Sequence, residues 1–356
     1  MQSLSRRDAI RATAAAAAST LLLPPARQTL AATPEPQEIT AELIASARKE
    51  GKVSFYTSVE LPVAEKIARA FETKFPGVSV RVERSGAERN FQRIAQEYAS
   101  RIYVCDVTQS SDAAHFISWK RDGLLASYLP EAVAKHYPPE NKDADGMFAT
   151  WRIHLSVIAY NTKLVKAEEA PKSFADLLDP KWAGKLVKAH PGYSGTIMTA
   201  TQQMVATLGW GYFEKLAKQK VMHLQSAADP PRRVAAGERA IQVDGADYTI
   251  LQLQDRGESV EIVYADEGSP LIAGPAAIMK SAPNPNAARL FYNWAMSIEC
   301  QQLNSDIAGL RSAHALVTER KGRKRLAEIK TMKEDPQAVE AQSDEIKAKY
   351  ATIFGV

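Results

Sequence analysis

The sequence predicts an α/β fold built from mostly parallel sheets with helices on their faces. Three strand-like segments in the first third of the chain each lead through a short turn into a helix-like segment. A second run of the same kind begins with IHLSVIAYNTKLV in the middle of the chain. Strands that alternate so regularly with helices form parallel sheets, because each helix returns the chain to the same end of the sheet.

The spacing of apolar residues identifies each element of the first part. Val78, Val80 and Val82 alternate as in a half-buried strand. Ile67 and Phe71 lie four residues apart, as on one face of a helix. In chain order, the six segments are KVSFYTS, PVAEKIARAFETKF, VSVRVE, AERNFQRIAQEYAS, YVCDVTQ and SDAAHFISWKRDG.

Small hydroxyl residues and glycines follow the strands at the turns that open the helices. In parallel α/β sheets, ligands bind outside the carboxyl ends of the strands. A helix N-terminus offers free N–H groups and partial positive charge to an anion. The alternative is that these hydroxyls only cap their helices. The turn residues expected to contact a solute are Thr57, Ser58, Ser85, Gly86, Ser110, Ser111, Ser194, Gly195 and Thr196.

Three further candidates come from the middle of the chain. Arg152 precedes a strand that leads toward the second run, and Arg232 lies at a helix start where its guanidinium could clamp an anion. Arg232 is equally compatible with an exposed surface position. Tyr160 follows the same strand as Arg152 and either faces the cleft or serves only the geometry of the crossover.

Other chemistry has little support. No GxSxG, HExxH or Walker sequence occurs, and the six histidines lack zinc-site spacing. We therefore expect neither catalysis nor a cofactor. Cys105 and Cys300 are predicted to be two buried thiols, and the chain after Asn286 is predicted to be helical nearly to its end.

The first 32 residues have the anatomy of an export signal. Paired arginines, an apolar run from Ala12 to Leu23 and a small-residue stretch ending at Ala32 follow one another. The pair Arg6–Arg7 resembles a twin-arginine signal. Removing this segment takes four arginines and one aspartate from 45 basic and 41 acidic residues. The remaining chain is nearly neutral, so its charge does not favour nucleic acid or a membrane surface as a partner.

Taken together, these segments resemble a periplasmic solute-binding protein of an ABC importer, in the branch typified by ferric-iron-binding proteins. The resemblance covers nearly all of the chain after the signal. It is carried, in family order, by EGKVSFYTS, AEKIARAFETKFPGVSVRV, SGAERNFQRIAQEYASRIYVCDV, RDGLLASYLP, IAYNTKLV, PKSFADLLDPKWAGKLV, VAAGERAI and APNPNAARLFYNWAMSIECQQL.

The resemblance implies a type II binding-protein fold, in which two lobes are joined by crossover strands and close on a ligand. Lobe one would comprise residues 33–149 and 267–356, and lobe two residues 150–266. It implies a periplasmic monomer that delivers its solute to a membrane permease. It also places Tyr248 at a ligand position.

The ligand stays open between two classes. The family's iron ligands, a histidine, a glutamate and a tyrosine pair, are largely replaced here, which leaves Glu60, Asp247 and Tyr248 as iron candidates. The chain keeps the hydroxyls and guanidiniums that a phosphonate, a sugar phosphate or a carboxylate requires. A small organic anion is therefore the expected solute, ferric iron is the alternative, and an enzyme in the same cleft is a more distant third.

Overall fold

Each of two lobes contains one five-stranded sheet in the computed structural model, which describes residues 34–356. Sheet one has the strand order β2-β1-β3-β10-β4, and sheet two has the order β7-β6-β8-β5-β9. The strands are β1 (Lys52–Thr57), β2 (Ser79–Arg84), β3 (Val107–Gln109), β4 (Ala149–Leu155), β5 (Ile158–Asn161), β6 (Leu186–Ala189), β7 (Met222–Leu224), β8 (Ile241–Gln242), β9 (Val260–Val263) and β10 (Leu271–Ile278).

The two-lobe α/β architecture follows the prediction, but both sheets are mixed rather than mostly parallel. In sheet one, β1 pairs in parallel with β2 and β3, whereas β10 runs antiparallel to β3 and β4. Sheet two repeats this arrangement around β6 and β5. The antiparallel strands are those that enter a sheet directly from the other lobe. No crossover helix turns the chain around before them.

Helices flank both sheets, and their apolar faces form the cores. In α2, for example, Val63, Ile67 and Phe71 are buried against the first sheet. The helices are α1 (Ala41–Glu50), α2 (Leu61–Lys74), α3 (Ala87–Ala99), α4 (Ala114–Arg121), α5 (Glu131–His136), α6 (Gly195–Leu208), α7 (Trp210–Ala217), α8 (Asp229–Ala235), α9 (Asp247–Asp255), α10 (Pro285–Met296), α11 (Ile298–Ala308) and α12 (Pro336–Phe354).

The prediction of a helix from Asn286 nearly to the end is wrong between α11 and α12. Gly309 adopts a left-handed conformation, with φ of 70°, and ends α11. The chain then forms only one short 3-10 helix, Leu326–Glu328. The next helix starts where the Asp335 carboxylate accepts a hydrogen bond from the Ala338 N–H at 2.9 Å.

Two strand-to-strand crossovers and the last helix connect the lobes. Strand β4 passes into β5 through residues 156–157, and β9 leads back into β10. The predicted boundary at residue 150 therefore falls inside a strand of sheet one. The C-terminal helix α12, assigned from the sequence to lobe one, packs against α4 of that lobe and against α6 and α7 of lobe two.

Two remaining predictions concern the cysteines and the export signal. Cys105 and Cys300 are free, buried thiols, as expected. The predicted signal segment lies outside the described residues. Among the residues that are described, no helix is both long and apolar enough to cross a membrane.

The interlobe cleft as a candidate anion-binding site

A cavity of about 260 Å³ lies between the two lobes. Its walls come from the carboxyl ends of β1, β2, β6 and β7 and from the helices that follow β2 and β6. The lining residues are Ser58, Arg84, Gly86, Ala87, Glu88, Arg89, Gln92, Ser111, Arg152, Gly192, Tyr193, Ser194, Gly195, Thr196, Gln225, Ser226, Ala227, Ala228, Asp229, Ala246 and Tyr248.

Two helix N-termini, one from each lobe, meet at the cavity. Gly86 is the N-cap of the 13-residue helix α3. Ser194 is the N-cap of α6, and its hydroxyl accepts a hydrogen bond from the Ile197 N–H at 3.4 Å. The first-turn N–H groups of such helices carry partial positive charge. One anion between them could therefore contact both lobes.

Arg152 forms the floor of the cavity. It lies on β4 and is only 1% exposed. Its guanidinium donates to the Ser58 hydroxyl at 3.1 Å and to the Tyr248 hydroxyl at 3.3 Å. Its Nε has no partner among the described residues. A buried cation whose hydrogen bonds go to neutral oxygens is costly unless an anion joins it.

Two more arginines reach across the cleft from lobe one to lobe two. Arg84, the last residue of β2, donates to the Ser226 hydroxyl at 3.3 Å. Arg89, in the first turn of α3, donates to the side-chain carbonyl of Gln225 at 3.5 Å. Both partners are neutral, so these guanidiniums, like that of Arg152, form no ion pair in the described part of the chain.

The two acids of the lining already have cationic neighbours. Glu88 lies 3.3 Å from the Lys347 ammonium of α12, and Asp229 lies 4.0 Å from Arg232. Burial tends to raise the pKa of Glu88, but hydrogen bonding and charge from His115 and the charge of Lys347 outweigh it and hold this pKa at about 2. The three arginines therefore give the cavity an excess of positive charge.

The structure gathers eight of the thirteen predicted contact residues around the cavity. They come from both lobes and from the crossover strand β4, and they include the helix-opening turn of lobe two. The eight residues are Ser58, Gly86, Ser111, Arg152, Ser194, Gly195, Thr196 and Tyr248.

Three of the other five candidates are turn residues used inside lobe one. The Thr57 hydroxyl donates to the Gln109 side chain at 2.8 Å and accepts from the Val59 N–H. The Ser110 hydroxyl bonds the His115 ring and the Asp112 N–H. Ser85 does not line the cavity, and its N–H donates to the Thr57 carbonyl at 3.1 Å. The hydroxyls of Thr57 and Ser110 are therefore used in hydrogen bonds within lobe one.

Tyr160 and Arg232 also lie outside the cavity lining. Tyr160 is buried in the core of lobe two. Arg232 is more than half exposed and donates to Glu60 across the lobe boundary at 3.2 Å. Arg232 therefore contributes to contact between the lobes rather than to the cavity wall.

Each of the three iron candidates has a hydrogen-bond or ion-pair partner within the protein. The Asp247 carboxylate is occupied by Arg311 and by the Leu155 N–H, and Glu60 pairs with Arg232. Burial raises the pKa of the Tyr248 phenol, although Arg152 opposes this. The described residues contain no group of three or more His, Cys, Asp or Glu side chains placed to hold a metal ion.

Sequence reasoning missed Arg84, Arg89 and the loop of residues 225–228. Each lies where the other turns were predicted, at the carboxyl end of a parallel strand or in the segment that follows it. Arg84 ends a parallel strand, Arg89 lies in the helix that follows, and the loop connects β7 to α8. Strand β7 is only three residues long, so its pattern was too short to mark the loop as a strand end.

Solved structures of binding proteins share this architecture. The periplasmic binding protein AfuA from Actinobacillus pleuropneumoniae, with exogenous fructose-6-phosphate bound, superposes with a TM-score of 0.79. The two sequences are 23% identical, over 86% of this chain and 99% of that one. Iron-bound HitA from Pseudomonas aeruginosa gives a TM-score of 0.73 at 23% identity, over 85% and 99% of the two chains. Both likenesses concern the fold.

Two sequence relatives have similar coverage. A Haemophilus influenzae protein described as uncharacterized is 27% identical over 275 residues, which are 72% of this chain and 76% of its own. Iron uptake protein A1 of a Synechocystis species is 24% identical over 272 residues, or 71% and 73% of the two chains.

Residues 105–326 match the family described as bacterial extracellular solute-binding proteins. This match covers well over half of the chain, and it agrees with the two-lobe fold and the interlobe cavity. The resemblance to ABC-importer binding proteins stated from the sequence is thereby confirmed. The chain belongs to the bacterial extracellular solute-binding protein family and has its two-lobe, type II fold.

Proposed function

We propose that this chain binds a small anionic organic solute in the interlobe cleft and delivers it to the permease of an ABC importer. A phosphonate, a sugar phosphate or a carboxylate would satisfy the chemistry of the cleft. The family match supports the role of solute-binding component of an importer. The ligand class, the periplasmic location and a monomeric state belong to the proposal.

One observation carries the choice of an anion. Arg84, Arg89 and Arg152 line a single cavity, and within residues 34–356 their hydrogen bonds go only to neutral partners. An anion that enters the cavity would pair with these guanidiniums and relieve the desolvation cost of Arg152. A free metal cation would instead be repelled by the positive charge of these arginines.

The size and the lining of the cavity suit a small polar molecule. Its volume of about 260 Å³ lies just below the range of roughly 300–1,000 Å³ that is typical of ligand pockets. The hydroxyls of Ser58 and Ser226 accept hydrogen bonds from Arg152 and Arg84, and Ser111 also lines the cavity. The lining can therefore bind an anionic group and the hydroxyls of an attached carbon skeleton.

Closure follows from the position of the cavity between the lobes. A solute that touches Arg152, the N-terminus of α3 and the N-terminus of α6 makes all its contacts only when the lobes are together. It therefore favours the closed state over open ones by its differential affinity. The crossovers at residues 156–157 and 264–270 are where the chain could bend.

A thermal-shift screen tests the proposal. Phosphonates, sugar phosphates including fructose-6-phosphate, carboxylates and polyamines would each be added in excess to the mature chain. A solute at about 100 times its Kd stabilises by about 2.7 kcal/mol, which raises the Tm of a protein of this size by about 5 °C. At least one anion should do so, and polyamines should not. If no anion raises the Tm, the proposal fails.

Ferric iron is the second candidate, because the fold is shared with an iron-bound protein. Its test is direct, since coordination of Fe(III) by the Tyr248 phenolate would give a visible colour. We expect the chain to stay colourless after loading with ferric citrate and desalting. A coloured, iron-containing product whose colour disappears in Tyr248→Phe would favour iron.

A further inference from the structure

His154 lies directly behind the cavity wall and contacts two of the residues that line it. It is on β4 and is completely buried. Its Nε2 lies 3.2 Å from the Thr196 hydroxyl, and its ring meets the ring of Tyr248 edge-on at 5.5 Å between centroids. In the described part of the chain, this imidazole is the hydrogen-bond partner of the Thr196 hydroxyl.

The charge state of His154 is fixed by its surroundings. Burial lowers its pKa well below the ordinary value, and the positive charges of Arg152 and Arg311 lower it further. The ring is therefore neutral near pH 7. A neutral imidazole has one N–H, which acts as a donor, and one nitrogen lone pair, which acts as an acceptor.

The environment of the second ring nitrogen selects the tautomer. Nδ1 is buried and has no hydrogen-bond partner among the described residues. Protonation at Nδ1 would leave a buried N–H without an acceptor, which is rare and costly in proteins. Protonation at Nε2 instead gives the N–H a partner in the Thr196 oxygen and leaves only an acceptor unpaired.

We propose that His154 is a positioning residue, which donates from Nε2 to Thr196 and so directs the Thr196 hydroxyl hydrogen into the cavity, toward an anionic oxygen of the solute. The hydroxyl has a single hydrogen, and its oxygen accepts from the ring. That hydrogen is thus free to donate to the ligand. The proposed anionic ligand underlies this inference, whereas the tautomer of His154 does not depend on it.

The first test needs no ligand. Long-range ¹H–¹⁵N NMR distinguishes protonated from unprotonated ring nitrogens, and loss of signals in His154→Gln assigns this ring among the six histidines. We expect the Nε2–H tautomer at about pH 7 and no protonation of the ring near the ordinary histidine pKa of about 6.5. An Nδ1–H tautomer, or titration near the ordinary pKa, would overturn the inference.

The second test measures binding of inorganic phosphate by calorimetry. His154→Leu should weaken it about tenfold, comparable to the loss of one hydrogen bond to a charged group, whereas His154→Gln, which retains an N–H donor, should stay within about threefold of wild type. Thr196→Val should also weaken binding about tenfold.

The double variant separates positioning from a general structural effect. If His154 acts through Thr196, then His154→Leu should cause little further loss in a Thr196→Val background. Additive losses would overturn the inference. Wild type that binds neither phosphate nor any other anion would refute the proposed function, and the NMR result would still decide the tautomer.

Discussion

Gly86 and Tyr193 meet across the cleft so closely that a side chain on Gly86 would have no room. A Cβ at Gly86 would lie 2.9 Å from the backbone carbonyl oxygen of Tyr193. Its φ of −62° is open to any residue, so the backbone itself does not require glycine. Gly195 is similar, since a Cβ there would lie 2.8 Å from the Cβ atoms of Ala87 and Asp112. Both glycines are explained by the approach of the lobes.

Gly86→Ala and Gly195→Ala should therefore oppose closure rather than folding. A forced contact costs roughly 1–3 kcal/mol, here only in the closed state, which corresponds to about a 5- to 150-fold loss of affinity. Calorimetry with the best anion from the screen measures the loss. Small-angle scattering of the ligand-bound proteins should show larger dimensions for both variants.

Gly211→Ala is the matched control for the two cleft glycines. Gly211 lies in α7, has no left-handed φ, and a Cβ there would meet nothing within 4 Å. This variant should bind as wild type does. Undiminished affinity in both cleft variants would show that the lobes tolerate the extra methyl group and that closure does not depend on glycine.

Arg152→Met should weaken anion binding without weakening the fold. The guanidinium is buried, and its hydrogen-bond partners among the described residues are neutral oxygens. A hydrogen bond to a charged group contributes about 1.5–3 kcal/mol, so we expect about a 10- to 150-fold loss of affinity. Removing a buried charge that forms no ion pair within the described part of the chain should leave the free energy of unfolding in urea unchanged or higher.

Arg233→Met provides the comparison for this experiment. Arg233 is on the surface and pairs with Glu238 at 2.6 Å, with both side chains nearly half exposed. It should change affinity little, and stability by less than about 1 kcal/mol. If Arg152→Met destabilised the protein strongly, Arg152 would be a structural residue and not a site held ready for an anion.

Glu334 should make the free energy of unfolding fall as the pH rises. Burial raises the pKa of its carboxyl to about 8, although the Ala273 N–H donates to it at 3.1 Å. An acid with a raised pKa in the folded state contributes its full stability below the unfolded pKa of about 4.5. That contribution is lost as the pH rises through about 8.

Glu334→Gln should remove this loss, because the amide oxygen still accepts from Ala273. Urea unfolding should give similar stabilities at about pH 4.5, and the variant should be more stable by on the order of 5 kcal/mol at about pH 9. Glu345→Gln, at an exposed position of α12, should follow wild type throughout. If the free energies of unfolding of Glu334→Gln and of wild type changed with pH in parallel, the expected ionisation of Glu334 would be contradicted.

The strand–helix pattern was sufficient to locate several of the residues that line the cavity, because the ends of parallel strands and the helices after them share one edge of a sheet. Ser58, Gly86 and Ser194 were found in this way. The pattern could not show which of two adjacent residues, such as Thr57 and Ser58, lines the cavity. Successive residues of a strand point to opposite faces, and the sequence does not show which face meets the cleft.

Long-range pairing explains most of what the sequence did not reveal. The antiparallel position of β10 beside β3 depends on a return from the other lobe, which no local pattern encodes. The partners of Arg84 and Arg89 across the cleft lie more than 130 residues away in sequence. Gly309 could have indicated the end of α11, but a glycine in a helical pattern also fits a tolerated interruption.

The buried pair of Lys188 and Asp244 offers a last prediction, on how lobe two is held together. Their charged atoms are 3.4 Å apart, and neither side chain has exposed surface. The Lys188 ammonium also lies 4.6 Å from the ring centre of Tyr350 on α12. Burial lowers the pKa of Lys188 and raises that of Asp244, while each charge opposes the shift of the other.

Lys188→Met should leave a buried carboxylate alone and lower the free energy of unfolding by about 3–5 kcal/mol. Replacing both residues, with Lys188→Met and Asp244→Val, should recover most of this loss, because neither carboxylate oxygen of Asp244 has a hydrogen-bond partner among the described residues. Urea unfolding of the wild type, the two single variants and the double variant gives the coupling energy. A double variant no more stable than Lys188→Met would mean that the cost lies in lost packing against Tyr350, since no unpaired charge would remain to explain it.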